Sequence, residues 1–541
     1  MPMLAVGYPT GRAHRSRAWT FPVLIAALML GAAACGGDDI DPRAVGADPG
    51  RTVETLYDWP SAAEALPEFT DVTEEWGLSE FENDTDLQAA GGVAVGDLDG
   101  DGWPDLAVAG RDLFLFYGSS GGMTPAAAPI TVTDGQVAAV GIADLDGDTV
   151  NDLLVSVIGG DDLIIWGGEW STVRAPAQAP RTALPGGSQT VALIAADLSG
   201  DERPDLLRLS HDPAEPDIIW EQTAARRFVP EPLPQSFRRS FAAEIADLDR
   251  DGLLDVWVTR DIGWITGADS IYTRRGQRDG PWIDVAPDLG AALAIDGMGI
   301  ALADLDGDGD IDAYVTDVGE NDILLADDDG YTPATDSGAG RIRPPGDRAR
   351  AVSSSWAVGT GDLNLDGIID LVVANGGFGG TDIVNKISGT EFVDLDSPAM
   401  FLGLGEGRFA DVWPQLGQPW KARIRGMALG DLDLDGDTDL VFVSSAGGMR
   451  VYRNEATAPS VTLVVPDTAC AAGFVATVTS PTTYYRSVLV QHPFLSASQP
   501  SLTVGTLGVA VEISVIRPGL SQFSSQVPAR DGRVTVEIPC D

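Results

Sequence analysis

The chain has few of the residues that usually carry catalysis or bind anions. Its 541 residues include three histidines, three cysteines and 34 Lys and Arg against 81 Asp and Glu, and only Lys386 and Lys421 are lysines. The formal net charge of −47 makes nucleic acid and anionic membrane surfaces poor partners on electrostatic grounds. Divalent cations are favourable partners for the same reason. A hydrophobic content of 44% is ample for a folded protein.

The apolar run near the N-terminus is too short to span a bilayer comfortably. It covers residues 21–34, whereas a transmembrane helix needs about 20 apolar residues. Arg12, Arg15 and Arg17 precede this run, and small residues end it before Cys35. This order of basic, apolar and small residues predicts an export signal over residues 1–34. Residues 35–66, rich in Asp, Gly, Pro and Ala, are predicted to form a flexible tether.

The end of the signal and the cysteine count bear on where the protein is located. Residues 32–35, Ala-Ala-Ala-Cys, resemble a bacterial lipoprotein box, which implies lipidation of Cys35 and attachment to the cell envelope, in the outer membrane or facing the periplasm or the surface. Plain secretion and an uncleaved anchor are the alternatives. Cys470 and Cys540 are then the only cysteines left, and we expect a disulfide between them. Two separate thiols are the alternative.

An acidic loop is the repeated unit of the chain. Residues 97–105 read Asp-Leu-Asp-Gly-Asp-Gly-Trp-Pro-Asp, so carboxylates occupy positions one, three, five and nine. Six further copies begin at Asp144, Asp197, Asp247, Asp304, Asp362 and Asp431. A self-similar unit of this kind indicates a repeat architecture.

The loops have the chemistry of a hard oxygen cage. Three or four carboxylates converge, a backbone carbonyl is expected at position seven, and no His or Cys is present, which favours Ca²⁺ over zinc or copper. Two carboxylates about 4 Å apart repel by roughly 4 kcal/mol at an effective dielectric of 20, so the loops need a cation. The sequence therefore predicts about five to seven Ca²⁺ ions per chain. The expected ligands are Asp97, Asp99, Asp101 and Asp105; Asp144, Asp146, Asp148 and Asp152; Asp197, Asp201 and Asp205; Asp247, Asp249, Asp251 and Asp255; Asp304, Asp306, Asp308 and Asp312; Asp362, Asn364, Asp366 and Asp370; and Asp431, Asp433, Asp435 and Asp439.

The loops differ in how well they match the pattern. Gly at position six allows the positive φ that the turn requires. The second loop has Thr149 there, and the third has Ser199 and Glu202 out of pattern. The sixth has neutral Asn364 at position three and is expected to bind more weakly. The third loop is the weakest, with a turn that binds no metal as the alternative.

Short apolar segments rich in Val, Ile, Leu and aromatic residues enter and leave each loop, so each loop joins two strands. An EF-hand needs flanking helices and a Glu at position twelve, which excludes that motif. The strand–loop–strand unit resembles the FG-GAP/VCBS repeat of integrin α-subunits and exported bacterial proteins. That resemblance implies one four-stranded propeller blade per repeat and Ca²⁺ in the loop. The expected fold class is all-β, with a seven-bladed β-propeller over residues 67–456.

Closure of the ring follows from counting strands. Only two strands remain after the seventh loop, whereas one extra strand, residues 69–73, precedes the first loop. We expect this strand to complete the last blade.

The last segment, residues 459–541, is predicted to form a small C-terminal β-sandwich-like domain from Val- and Thr-rich strands. Residues 485–488, 495–505 and 515–519 resemble a degenerate ASPIC/UnbV module, which follows such blades in the cartilage acidic protein family. Arg517 stands where that family favours Trp.

No catalytic signature is evident. Residues 118–122 fit the Gly-x-Ser-x-Gly pattern but lack the strand-to-helix context of a nucleophile elbow. The expected function is therefore a calcium-binding envelope lipoprotein that binds a protein or polysaccharide on a propeller face. An exported lyase or hydrolase acting on carbohydrate, and a purely structural envelope component, are the alternatives.

Overall fold

The computed structural model describes residues 66–539 except residues 82, 85–89, 133–134, 177–178, 186, 335–336, 341–350, 379–390, 466–467, 481–483, 520 and 530–531. The expected signal, Cys35 and nearly all of the expected tether lie outside the described residues. So does Cys540. Among the described residues, no helix has the length and apolar character required to cross a membrane.

The described residues form almost entirely β-structure, in repeated antiparallel sheets of four strands. The strands of the first three sheets are β3 (Val93–Gly96), β4 (Asp105–Ala109), β5 (Leu113–Tyr117) and β6 (Thr124–Pro125); β7 (Gln136–Ala143), β8 (Asp152–Ile158), β9 (Asp162–Ile165) and β10 (Arg181–Leu184); and β11 (Thr190–Ala196), β12 (Asp205–Ser210), β13 (Ile218–Ala224) and β14 (Arg227–Pro232). Those of the next three are β15 (Ser240–Ala246), β16 (Asp255–Arg260), β17 (Ser270–Thr273) and β18 (Ile283–Asp284); β19 (Ile300–Ala303), β20 (Asp312–Val315), β21 (Asp322–Asp327) and β22 (Gly330–Pro333); and β24 (Ser355–Gly361), β25 (Asp370–Asn375), β27 (Ala399–Gly405) and β28 (Arg408–Asp411).

A last sheet joins the two ends of the repeat region. It consists of β29 (Ile424–Gly430), β30 (Asp439–Ser444), β32 (Met449–Asn454) and the N-terminal β1 (Phe69–Asp71). Strand β1 pairs antiparallel with β32, with Phe69 opposite Asn454 and Asp71 opposite Tyr452. This confirms the prediction that the N-terminal strand completes the last sheet. The short pairs are β2 (Asn83–Asp84) with β31 (Ala446–Gly447) and β23 (Ala351–Val352) with β26 (Glu391–Phe392).

The first strand of each repeat lies on the inside of a ring. Strands β3, β7, β11, β15, β19, β24 and β29 each contact the next, and β29 contacts β3 again. These strands are Val-, Ala- and Ile-rich and buried on both faces, since one sheet packs against the next around the ring. The arrangement is that of a β-propeller. Because every acidic loop follows an inner strand, all seven loops lie on one face, here called the loop face.

The C-terminal region adds two further groups of strands. Strands β35 (Tyr484–Val488), β34 (Val475–Thr479), β37 (Val511–Ile516) and β38 (Phe523–Val527) extend the fifth propeller sheet through a single pair, Ala303 with Ser487. Strands β36 (Ser501–Gly505), β33 (Ser460–Val464) and β39 (Val534–Glu537) form a separate sheet. Both groups share one apolar core, which also includes residues of the fifth and sixth propeller sheets.

Helices are short and peripheral. The α-helical turns are Glu169–Thr172, Gly263–Thr266 and Thr468–Ala471, and a 3₁₀ turn covers Trp413–Gln415. Cys470, in the last α-helical turn, is disulfide-bonded.

Candidate metal sites and binding face

The first loop shows how the sequence makes carboxylates converge. Asp97 Oδ1 accepts the N–H of Gly100 at 2.7 Å, and its Oδ2 accepts that of Gly102 at 2.9 Å. Asp99 and Asp101 each accept the N–H two residues later. The backbone therefore folds around the acids. Both types of bond recur in the loops that begin at Asp144 and Asp304. In the loops at Asp247 and Asp431 the first aspartate accepts the position-five N–H instead of the position-four N–H.

Two loop positions have positive φ. Position six has a φ of +88° at Gly102 and +71° at Thr149, so the second loop keeps the turn although Thr is strained there. Position four is also left-handed, with a φ of +58° at Leu365 and +59° at Leu434. The sequence analysis missed position four because only some of the loops have Gly there.

The position-nine aspartates have a second role in the blade. Asp105 Oδ2 accepts the N–H of Leu98 at 2.8 Å, and Oδ1 accepts that of Gly118 on the far side of the blade at 2.7 Å. Equivalent pairs of bonds hold Asp152, Asp205, Asp312, Asp370 and Asp439. Each of these carboxylates therefore ties its loop to the third strand of its own sheet.

Burial disfavours the ionised form of these acids in the absence of a cation. It raises the pKa of Asp105, Asp152, Asp205 and Asp255 to about 7 and that of Asp312 to about 8, with neighbouring carboxylates adding to the effect. Burial likewise raises the pKa of Asp431, at position one, to about 7. A divalent cation would relieve both the desolvation and the mutual repulsion.

The structure brings oxygen ligands together in five loops. Their carboxylate oxygens lie within 4.8 Å of one another in the groups Asp97, Asp99 and Asp105; Asp144, Asp146 and Asp152; Asp247, Asp249 and Asp251; Asp304, Asp306 and Asp308; and Asp431, Asp433 and Asp439. In the fourth loop, Asp251 Oδ2 and Asp255 Oδ1 are buried with no hydrogen-bond partner in the described part of the chain. Buried carboxylate oxygens that accept no hydrogen bond are suited to ligate a cation. Several of these aspartate clusters could therefore bind metal.

The third and sixth loops differ from these five. Arg203 forms an ion pair with Asp201 inside the third loop. The Asp201 carboxylate, an expected metal ligand, is therefore paired with a guanidinium. In the sixth loop the Asn364 amide donates to Asp366 Oδ2 at 2.9 Å. As in the other loops, backbone N–H groups of these two loops donate to the carboxylates of Asp197, Asp205, Asp362 and Asp370.

Arginines from neighbouring blades also contact the acidic loops. Arg174 lies 2.5 Å from Asp99 and 3.0 Å from Asp101, and Arg226 contacts Asp146. Each of the two is also stacked on an aromatic ring of the preceding sheet, Tyr117 or Trp166. These arginines offset part of the negative charge of the first and second loops and connect consecutive blades.

The C-terminal region covers part of the loop face. Gly505 N–H donates to Asp362 Oδ2 at 2.7 Å, and Arg533 forms an ion pair with Asp435 at 2.7 Å. The backbone of Asp304 donates to the carbonyl of Arg486 at 2.9 Å. Three of the acidic loops are therefore in direct contact with this region.

The centre of the ring is filled by residues 489–500, here called the plug. Ala497 exchanges backbone hydrogen bonds with Val93 and Val95 of β3, at 3.0 and 3.2 Å. Gln491 exchanges two side-chain hydrogen bonds with the backbone of Thr360 on β24, at 2.6 and 2.7 Å. Further contacts reach β7, β15 and β29.

Aromatic and basic residues surround the plug but are buried. The Phe494 ring lies 5.2 Å from both Phe241 and Trp356, and Arg425 is stacked on Trp356 at 3.7 Å. His492 contacts Glu244 of β15. Trp356 and Arg425 therefore line the centre of the ring, and Phe494 and His492 of the plug pack against its wall.

The face opposite the loops, here called the open face, carries an exposed apolar patch. Phe237, Trp264 and Ile265 are 58%, 47% and 48% exposed. Residue 237 precedes the inner strand β15, and the turn 263–266 follows strand β16. Since the acidic loop joins the end of β15 to the start of β16, the start of β15 and the end of β16 lie on the opposite face. Trp264 donates its indole N–H to Asp296 at 3.0 Å, which orients the ring. The sequence analysis did not identify these residues.

Comparison with known proteins agrees with this architecture. A family model described as an FG-GAP-like repeat matches residues 97–155 and 247–315. The chain carries FG-GAP-like repeats. The matched FG-GAP segments begin at Asp97 and Asp247 and include the loops that begin at Asp144 and Asp304.

Among solved structures, two similar ones are crystal structures of BBS1N in complex with ARL6DN, soaked with mercury and with lead. Both are 13% identical to the chain with a TM-score of 0.39, and they cover 71% and 69% of this chain and 96% of their own. At this identity and TM-score the likeness carries no argument about function or partners. No curated protein matches the chain.

Proposed function

We propose that the protein is a calcium-stabilised binding module of the bacterial cell envelope, exported and lipidated at Cys35, which holds a protein or polysaccharide on its open face. The patch of Phe237, Trp264 and Ile265 is the observation that carries this proposal. Exposed aromatic residues are enriched at interaction sites.

The surroundings of the patch favour the open face over the alternatives. The plug packs into the centre of the ring, where an enzyme built on a propeller would place its substrate. The C-terminal region lies against several acidic loops on the other face. Both features support a binding module over a carbohydrate-active enzyme and direct the search for a partner to the open face.

Calcium is assigned a structural role in this proposal. If each site had a dissociation constant near 0.1 mM in about 1 mM Ca²⁺, each would stabilise the fold by roughly 1.4 kcal/mol. Five such sites would contribute about 7 kcal/mol, comparable to the stability of an ordinary domain. Thermal unfolding of residues 36–541 in EGTA and in 2 mM Ca²⁺ should show a large upward shift, with five to seven ions per chain by mass spectrometry.

The binding role is tested by comparing variants on opposite faces. The double variant Phe237→Ser and Trp264→Ser should lose a partner that the wild-type chain retains from envelope extracts or from purified envelope polysaccharides in Ca²⁺. Leu507→Ser is the matched control, because Leu507 is 51% exposed in the C-terminal region, which contacts the loop face. Loss of the partner in the control, with retention in the double variant, would overturn the assignment of the open face.

A further inference from the structure

A second candidate binding site lies at the rim of the open face, between the last two propeller sheets. It is a cavity of about 380 Å³, here called the rim cavity, and this volume lies within the range of small-molecule pockets. The cavity is lined by the start of β27, the end of β28 and the segment that leads to β29, including Asp396, Asp411, Trp413 and Lys421. It is independent of the aromatic patch and of the acidic loops.

One side of the rim cavity presents carboxylates. Asp396 accepts the Ser353 hydroxyl at 2.6 Å and the Ser397 N–H at 2.8 Å, so neutral donors hold both of its oxygens. Asp411 has one hydrogen bond in the described part of the chain, from the N–H of Trp413 at 3.2 Å. Burial raises the pKa of Asp411 to about 6, which leaves it ionised at neutral pH. The Asp411 carboxylate can therefore accept a hydrogen bond from a further donor.

The rim cavity also presents donors. Lys421 is exposed and is the only lysine of the described residues. Burial raises the pKa of Asp396, and the positive charge of Lys421 opposes that rise. The indole N–H of Trp413 is buried and has no hydrogen-bond partner in the same part of the chain. Since a buried donor without a partner destabilises the protein, an acceptor from a ligand or from water would stabilise it.

The remaining walls are apolar and stiff. Pro398, Pro414 and Pro419 line the cavity, and proline loses little conformational freedom on binding. Such walls suit an aliphatic group of a few carbons.

The charge pattern selects the class of ligand. A simple anion would be repelled by the protein's net charge of −47 and by two carboxylates in the cavity. A simple cation would be repelled by the Lys421 ammonium and would leave the Trp413 indole N–H without an acceptor. We infer that the rim cavity binds a small zwitterion of the α-amino acid type, with its ammonium on Asp411, its carboxylate on Lys421 and its side chain against the prolines.

Calorimetric titration of residues 36–541 in 2 mM Ca²⁺ tests this inference. Leucine is compared with 4-methylpentanoate, which lacks the ammonium, and with 3-methylbutylamine, which lacks the carboxylate; proline and the other common amino acids complete the panel. At least one amino acid should bind, and removing either charged group from it should weaken binding at least tenfold.

Variants distinguish binding in the rim cavity from a general effect of the protein's charge on binding. Asp411→Asn and Lys421→Gln should each weaken amino acid binding about tenfold while leaving thermal unfolding unchanged, and Lys421→Arg should retain binding. Arg408→Gln removes a positive charge from the other end of the same sheet and should have no effect. Absence of binding by every amino acid at 10 mM, equal binding by the variants, or preference for a neutral polyol would overturn the inference.

Discussion

Three position-nine aspartates, Asp105, Asp152 and Asp439, combine two tasks that are usually separate. Asp105 offers an oxygen to the first metal cluster and accepts backbone N–H groups from its own loop and from the third strand. Asp101, by contrast, is exposed and lies at the outer part of the loop. The two residues should therefore respond differently to substitution even in the absence of metal.

Asp105→Ala should destabilise the metal-free protein because it leaves the N–H groups of Leu98 and Gly118 buried without acceptors. We expect a loss of about 1–3 kcal/mol for each group, measured by urea unfolding in EGTA. Asp101→Ala is the matched control and should change the stability of the metal-free protein by less than about 1 kcal/mol, because its ion pair with Arg174 and its bond from Trp103 are solvent-exposed. Equal effects of the two substitutions would show that Asp105 acts only as a metal ligand.

At the scale of the element, the N-terminal strand closes the ring. Strand β1 covers an edge of β32 that would otherwise expose unpaired backbone groups, and exposed edges promote association. Val72, directly after β1, is fully buried, and the Thr73 hydroxyl accepts the N–H of Val451 at 3.0 Å. The strand therefore contributes both pairing and packing.

A chain that begins at residue 75 should be less stable than one that begins at residue 67 by at least about 3 kcal/mol, from the loss of Val72 burial and of strand pairing. It should also self-associate through the β32 edge. Thermal unfolding and light scattering in 2 mM Ca²⁺ measure both effects. A monomer of unchanged melting temperature would contradict the closing role of β1.

At the scale of the whole molecule, the plug joins the propeller to the C-terminal region. Its backbone pairs with inner strands, and Phe494 packs among Phe241 and Trp356 at the centre. Residues distant in sequence thus share one core, so the two regions should unfold as one cooperative unit.

Phe494→Ala should lower the stability of the entire chain by about 3–5 kcal/mol, the usual cost of removing a buried aromatic ring. Calorimetry should show a single transition moved to lower temperature. Leu507→Ala is the control, because Leu507 is about half exposed in the same region. Two transitions, with only the smaller one displaced, would mean that the C-terminal region folds independently of the propeller.

The sequence by itself determined the features that depend on local spacing. The acids at positions one, three and five converge because each accepts N–H groups a few residues away, and the alternation of apolar runs with acidic turns predicted strands and a propeller. The resemblance to FG-GAP repeats rested on the same spacing.

Only the tertiary structure decided the features that depend on distant partners. Nothing in the spacing of residues 489–500 indicates that they fill the centre of the ring, and their place there follows from bonds to strands more than 100 residues away. Arg203 cannot be recognised in sequence as a partner of Asp201 rather than of solvent. The open-face patch and the rim cavity likewise arise where connections separated by whole strands meet, and local sequence spacing does not encode such a meeting.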